Sequence, residues 1–520
     1  MRKQILVLIL LAIACCTYAQ VTFNHRLNFG MNSSSVLVGI GVTDSCYYAM
    51  GTAIDTTPPY DIGSLFVKFD LNGDVVFSKL FTQANKNYQM LFNTLSPTLD
   101  GNWMATGLHV DSTKVYHAML KYNSEGDTLF TKKFISPYYP EENFLAATSS
   151  CELTDGGFIL SSNVLDPNPF SSNLYLVKTD SLGHKVWDTI YIDPALTVLG
   201  NSTIPLAEGK MLVGATLTNN NLVGINYISR MVILKLDSNG EIEWEYKSPE
   251  GELLNGAQDI LLTDDGGYLI ASGKGVEYSF GNPNIWHLLW HNYIYKLDEN
   301  RNFEWGVEII DTVPSGFTQL NKLVKATDDS GYLATGSIFE YTGNNAYNIN
   351  GQLSKVSKEG DSLWTRYYHH VDSPADYHVF DDLEATSDGG YIMVGEAIDL
   401  SNDAEAPHQR SWILKVDEYG CLVPGCELVP TFEPEETPFE IKLYPNPANE
   451  YLNVYFYHSK LETEAKFSLT NSDGRIVKEF TSNLNKTTHM IPVWNLPAGI
   501  YSLTCQNGKS IVSKQLSILR

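Results

Sequence analysis

Between Asp265 and Trp305 the chain reads Asp265-Gly266-Gly267-Tyr268-Leu269-Ile270. After a variable stretch it continues Tyr293-Ile294-Tyr295-Lys296-Leu297-Asp298 and closes on Phe303-Glu304-Trp305. An acidic-Gly turn leads into an apolar run, a second run ends in Lys-x-Asp, and an aromatic follows. The same order returns along most of the chain. Its acidic marker falls at Asp44, Asp100, Asp155, Glu208, Asp265, Asp329 and Asp388, and its lysine at Lys68, Lys121, Lys178, Lys235, Lys296, Lys355 and Lys415. Two markers that agree in number and in a spacing of about 55 to 60 residues define an internal repeat. Single copies drift, as where Cys46 stands in place of the second glycine.

Each copy predicts four short strands, in this one Asp259 to Thr263, Tyr268 to Ala271, Tyr293 to Leu297 and a strand around Trp305. Aromatic and β-branched runs bounded by Gly, Asn and Asp suit a pleated, half-buried surface. No window sustains a helical period. The expected fold is all-β, a seven-bladed β-propeller over residues 20–426. Six copies end in an aromatic, at Phe77, Phe130, Trp187, Trp244, Trp305 and Trp364, whereas the seventh has none after Asp417. The segment from Thr22 to Phe29 resembles Phe130 to Phe134 and is expected to supply the missing strand, leaving no open seam.

The ends of the chain carry the address. Arg2 and Lys3, an apolar run from Ile5 to Ala14 and the small-residue site at Thr17-Tyr18-Ala19 read as a signal peptide over residues 1–19. A lipoprotein signal acylated at Cys15 is the competing reading. No later run is long enough to span a membrane. With 35 Lys and Arg against 60 Asp and Glu the formal net charge is -25, which argues against nucleic acid or an anionic membrane as partner. Five cysteines remain after the signal. Cys421 and Cys426 are spaced for a local disulfide, and two thiols alone are too few for structural zinc.

From Pro430 to Pro438 the chain is acidic and Pro-rich, a linker expected over residues 427–440. Beyond it, alternating strands predict a small Ig-like β-sandwich over residues 441–520. Tyr444-Pro445-Asn446-Pro447, the turn at Asp473-Gly474-Arg475, Leu496-Pro497-Ala498-Gly499-Ile500-Tyr501 and a strand at the extreme end resemble the type A sorting domain of the type IX secretion system of Bacteroidetes. The resemblance implies passage of the inner membrane by the signal, then recognition of this domain by the type IX machinery. The product would be secreted or attached to the outer-membrane surface. An adhesive Ig-like module is the alternative. Residues 21 to 420 also resemble bacterial Asp-Gly-Gly-Tyr and Lys-x-Asp-x-x-Gly repeat proteins, a likeness that implies fold more than activity.

Turn lengths assign the two faces of the expected ring. Links between strands one and two and between strands three and four are tight, while links between strands two and three and between blades are long, so one face carries the variable loops. Blade five is richest there, with Tyr278, Phe280, Trp286, His287, Trp290 and His291; Tyr138, Tyr139, Tyr341, Tyr347, Tyr367 and Tyr368 fall in other loops of that face. Aromatic platforms beside amides and carboxylates suit sugar rings or an extracellular protein ligand. The competing role for each ring is to pack its loop onto the blades. His369, His370 and His378 with Asp372 and Asp376 form the one cluster suggestive of a metal, but adjacent strand histidines face opposite ways. No catalytic motif, phosphate loop or cofactor signature is present, so no cofactor is expected and the reading leans away from an enzyme. A glycosidase or lyase pair assembled from different blades stays open.

Overall fold

A computed structural model describes residues 20–520 apart from 30–33, 56–57, 59, 113, 140–143, 168–170, 220–227, 279–286, 310–318, 344–345, 371–376, 400–408, 424–425, 427–439, 458–463, 472–474, 484–487, 508–509 and 520. At some strand ends, 276–278 and 287–289 among them, only the backbone is described. The expected signal peptide and nearly all of the linker lie outside the described residues. Two compact units are present, Met1–Cys426 and Glu427–Arg520.

In the first unit, antiparallel four-stranded sheets succeed one another along the chain. Sheet one spans residues 35–81, sheet two 87–134, sheet three 144–191, sheet four 197–247 and sheet five 259–309. The next two runs, 319–368 and 377–416, share an eight-stranded sheet but are joined only by a parallel bridge from Ile349 to Tyr377. The second of these runs has three strands of its own. Its fourth is Phe23–Leu27, which pairs antiparallel with Gln409–Val416. The amino-terminal segment therefore does complete the last sheet.

Register shows why the lysine and the aromatic recur together. Lys68 lies opposite Phe77, Lys121 opposite Phe130, Lys178 opposite Trp187, Lys235 opposite Trp244, Lys296 opposite Trp305 and Lys355 opposite Trp364. Lys415 lies opposite Phe23, so Phe23 is the aromatic that the seventh copy lacked. Each ring then packs against a turn of the following sheet. Trp187 covers Gly240, Trp305 covers Gly360, Trp364 covers Gly420, and Phe23 covers Gly73 of sheet one. The apolar cores repeat the same order: one joins each pair of neighbouring sheets, and one, with Phe23, Leu37, Phe69, Ile392 and Ile413, joins sheet seven to sheet one. Each fully buried large apolar side chain contributes about 1.5–3 kcal/mol to this packing.

Gly73 has φ +84°, and a Cβ there would stand 2.8 Å from the Phe23 ring. Gly73→Ala should lower stability by about 1–3 kcal/mol, from left-handed strain plus the clash. Gly101→Ala is the control, since Gly101 has φ +77° and a Cβ added there would meet nothing within 4 Å; its urea midpoint should move less.

The acidic marker is a partner for the lysine. Asp100 pairs with Lys121 at 2.7 Å, Asp155 with Lys178 at 2.5 Å, Asp265 with Lys296 at 3.0 Å and Asp388 with Lys415 at 2.6 Å. Burial pushes the Asp265 carboxyl up, but Thr263, the Gly267 N–H and Lys296 outweigh it and hold it at about 2. Sheet six departs from the sequence marker. Lys355 takes Asp328, at 2.8 Å, while Asp329 sits at φ +57° where sheets two, three, four, five and seven use glycine and pairs with Lys358. The turn there is one residue longer, which moves the carboxylate back by one position. In sheet four Lys235 bonds Glu243 instead, and Glu208 is exposed.

The links between second and third strands also differ from expectation. In sheet five the pair runs Tyr268–Tyr278 and His287–Leu297, and in sheet six Gly331–Gly343 and Ala346–Ser357. Residues read as open loops instead prolong the hairpins, because the two backbones go on pairing past Gly273 and Gly275, as far as Tyr278 opposite His287.

The second unit has a three-stranded sheet, Glu440–Tyr444, Tyr451–Tyr457 and Thr488–Pro492. Its other sheet has four strands, in the order Ile476–Asn483, Glu464–Asn471, Gly499–Asn507, Ser510–Ile518. Residues of both, including Leu452, Val454, Phe467, Leu469, Leu503 and Leu516, share one core.

Candidate functional site

Sheet two ends at Phe134, and the chain then turns through Ser136, whose hydroxyl accepts the N–H groups of Tyr138 and Tyr139. This fixes two adjacent rings differently. The Tyr138 ring is 48% exposed. Tyr139 is held, its hydroxyl donating to Asp166 Oδ2 at 3.2 Å. Asn173 donates to that same carboxylate oxygen at 2.9 Å and to the Tyr139 hydroxyl at 3.3 Å. Beside them Tyr175 donates to the Asp188 carboxylate. Tyr138, exposed, is thus the chain neighbour of a tyrosine whose hydroxyl is fixed to a carboxylate and an amide, and these are the group types that stack on a sugar face and bond its hydroxyls. Asp166 and Asn173 escaped the sequence reading because neither belongs to the repeat.

The other ring candidates divide. Trp290 is 6% exposed and Tyr368 5% exposed, with the Tyr368 hydroxyl donating to the Gly420 carbonyl at 2.7 Å, so both side chains pack within the sheets. Tyr367 is half-buried. Tyr278, His287 and Tyr341 lie on paired strands with only their backbone described, and Trp286 lies outside the described residues.

His369, His370 and His378 gather at the closing strand. Asn24 accepts the Trp412 indole N–H at 2.7 Å and donates to the His369 carbonyl at 3.1 Å. The His370 N–H donates to His378 Nε2 at 3.1 Å, and burial pushes the His378 imidazole down to about 4. Asp372 and Asp376 lie outside the described residues. No group of three or more metal-ligating side chains is arranged for an ion among the described residues. Cys421 and Cys426 form a disulfide with Cα atoms 5.7 Å apart.

The strongest electrostatic feature was not foreseen. Asp259, Lys322 and Asp382 occupy equivalent places in the first strands of sheets five, six and seven, each six residues ahead of the turn carboxylate. Lys322 and Asp382 directly follow a bulge. A bulge leaves a backbone N–H without a ladder partner, and the neighbouring sheet supplies one. Asp259 accepts the Leu323 N–H at 2.9 Å, Asp382 accepts the Ile40 N–H of sheet one at 2.8 Å, and Ser149 accepts the Thr203 N–H at 3.0 Å. Lys322 Nζ lies 3.8 Å from Asp259. Burial raises the Asp259, Asp382 and Glu384 carboxyls, with Lys322 pulling against it. Burial would lower the Lys322 ammonium, but Asp259, Asp382 and Glu384 together keep it raised. The buried Asp259 and Asp382 and the half-buried Glu384 are thus all raised, and each is drawn back by the same Lys322 ammonium.

In the second unit Tyr444, 66% exposed, ends the first strand. Asn446 accepts the Ser517 N–H at 2.9 Å and donates to the Gln515 carbonyl at 3.2 Å, so the Tyr-Pro-Asn-Pro segment is fastened to the last strand. Tyr501 donates to the Pro497 carbonyl at 2.8 Å, and Leu496 is buried; Gly499 opens the next strand. Gly474 lies outside the described residues. Residues 442–519 match the secretion system C-terminal sorting domain. This sorting domain indicates an exported protein, secreted or held at the cell surface. No helix among the described residues is long and apolar enough to cross a membrane.

No curated protein matches the chain. Among solved structures, the Penicillium chrysogenum alpha-L-arabinanase complexed with arabinobiose is similar at 12% identity and TM-score 0.38, over 64% of this chain and 99% of that one. Drosophila Semaphorin 2a gives 10% and 0.41 over 96% and 98%, and the polysaccharide lyase Uly1 gives 9% and 0.41 over 77% and 93%. Likenesses at this level bear on neither substrate nor activity.

Proposed function

We propose that this chain is a type IX-exported binding protein. In this reading residues 1–19 are a signal peptide and residues 20–426 form a seven-bladed β-propeller closed by the amino-terminal strand. Residues 427–440 are a linker, and 441–520 an Ig-like type A sorting domain. The propeller holds an extracellular glycan or protein on the face of the links between second and third strands, without turnover and without a cofactor. The observation that carries the binding role is the exposed Tyr138 ring beside the Tyr139–Asp166–Asn173 network. On a glycan and matrix-protein array, the chain from Gln20 should retain ligand, and Tyr138→Ala or Asp166→Ala should weaken it at least about tenfold, the scale of a central contact. Unchanged binding by both variants would move the site elsewhere.

A hydrolase or lyase is the second reading. Its support is a carboxyl pair in sheet seven, Asp381 and Glu396, both raised first by burial, with Gln409 donating to Glu396. Raised carboxyls serve general acid catalysis.

A further inference from the structure

The two sheets of the sorting domain present different outer faces. On the four-stranded sheet much of the outer face is polar: Lys466 pairs with Glu479 at 2.9 Å, and Thr504 bonds Ser513 at 2.7 Å, with Val477 and Ile500 exposed singly among them. Scattered apolar residues on a polar sheet are how a solvated face looks. On the three-stranded sheet the large apolar side chains are gathered. Ile441, Leu452, Val454 and Ile491 point into the core, so the alternate residues point out. Tyr444 lies opposite Asn453, which lies opposite Met490, and Tyr451 lies opposite Pro492. Tyr444 is 66% exposed, Met490 63% and Tyr451 45%. Lys442, two residues before Tyr444, is exposed, and Trp494, two residues past Pro492, is 58% exposed.

We propose that this aromatic face is the surface by which the outer-membrane export machinery grips the sorting domain. The proposal rests on the sorting reading and adds the place. Tyr444 belongs to the Tyr-Pro-Asn-Pro segment, yet its ring contributes nothing to the core, while Asn446 and the Ala448 backbone fasten that stretch to the last strand. A side chain that the fold does not use is free to serve a partner. Charge narrows the partner. Residues 441–520 hold nine Lys and Arg against five Asp and Glu, although the whole chain is at -25. The fitting partner is a protein with an apolar groove and an acidic rim.

The test is export of the full chain from a bacterium with a type IX system. Tyr444→Ser with Met490→Ser should leave the protein behind in the periplasm, with extracellular protein reduced at least tenfold. Urea unfolding of the purified chain checks that the sorting domain still folds. Thr504→Lys, on the polar face, should be exported normally. Deletion of residues 442–519 separates the two levels of the claim. If the deletion blocks export but the Tyr444/Met490 variant leaves the cell as well as the parent, this face is not the grip although the sorting reading stands. If the deleted chain is still exported, the sorting reading itself fails and the proposal with it. A dimer of the parent dissolved by the double substitution, with export intact, would assign the face to a second copy and overturn the proposal.

Discussion

Removal of residues 20–29 should unfold the first unit or leave it aggregated, because sheet seven loses its fourth strand and sheet one loses the ring over Gly73. Phe23 is 7% exposed and sits in the core shared by sheets seven and one. Phe23→Ala alone should cost about 3–5 kcal/mol. The deletion also strips Asn24 from Trp412 and the Val21 carbonyl from Lys415, which accepts its ammonium at 2.8 Å. It further exposes the edge of Gln409–Val416, a template for pairing with other chains. Urea unfolding followed by tryptophan fluorescence checks this. A truncated chain with the parental midpoint would mean that the strand is an ornament on a body already closed.

Lys322→Met carries the second large effect. It leaves the buried Asp259 and Asp382, and the half-buried Glu384, without their cation, a loss of the order of 3–5 kcal/mol at neutral pH. The pH profile gives the sign. Burial raises the folded values of these carboxyls above their unfolded ones, so the folded state binds more protons between about pH 4 and neutrality. Stability contributed by these groups is therefore lost as pH rises through that window. The parent should be more stable at pH 5.5 than at pH 8, and Lys322→Met should steepen the difference because its carboxyls must then stay protonated. Asp265 and Asp328, held at about 2, act in the opposite direction and lose their contribution only as pH falls below the ordinary carboxylate range. Urea midpoints across pH 5–8 measure the slope. A flat profile in both proteins would show that the cluster is solvated and uncoupled from folding.

The repeated four-strand order was legible because its markers are spaced by the fold itself. Lys296 and Trp305 recur since they face each other across one strand pair, and the turn carboxylate recurs since it bonds that lysine. Even the displaced closing strand could be found, from the missing aromatic of the seventh copy. What stayed hidden does not repeat. Ser149, Asp259, Lys322 and Asp382 share a structural place but not a chemistry, so no periodic signal joins them. The hairpin of sheet five was read as a loop because the stretch between the two short predicted strands is long and varies from copy to copy, whereas the strands go on pairing from Gly273 with Asn292 to Tyr278 with His287. At Asp329 one extra turn residue put the carboxylate out of phase. The ring candidates show the limit of composition: Tyr138 and Tyr139 are neighbours, and only the Ser136 turn decides that one faces solvent while the other braces Asp166.

In the proposed reading the first unit holds an extracellular ligand without transforming it. One incubation tests this: the chain from Gln20 with each polysaccharide it retains, read simultaneously for bound protein and for new reducing ends or unsaturated products. Retention should saturate, with no product above the level of Tyr138→Ala. Product that accumulates with time and disappears in Glu396→Gln would contradict it and make the chain an enzyme.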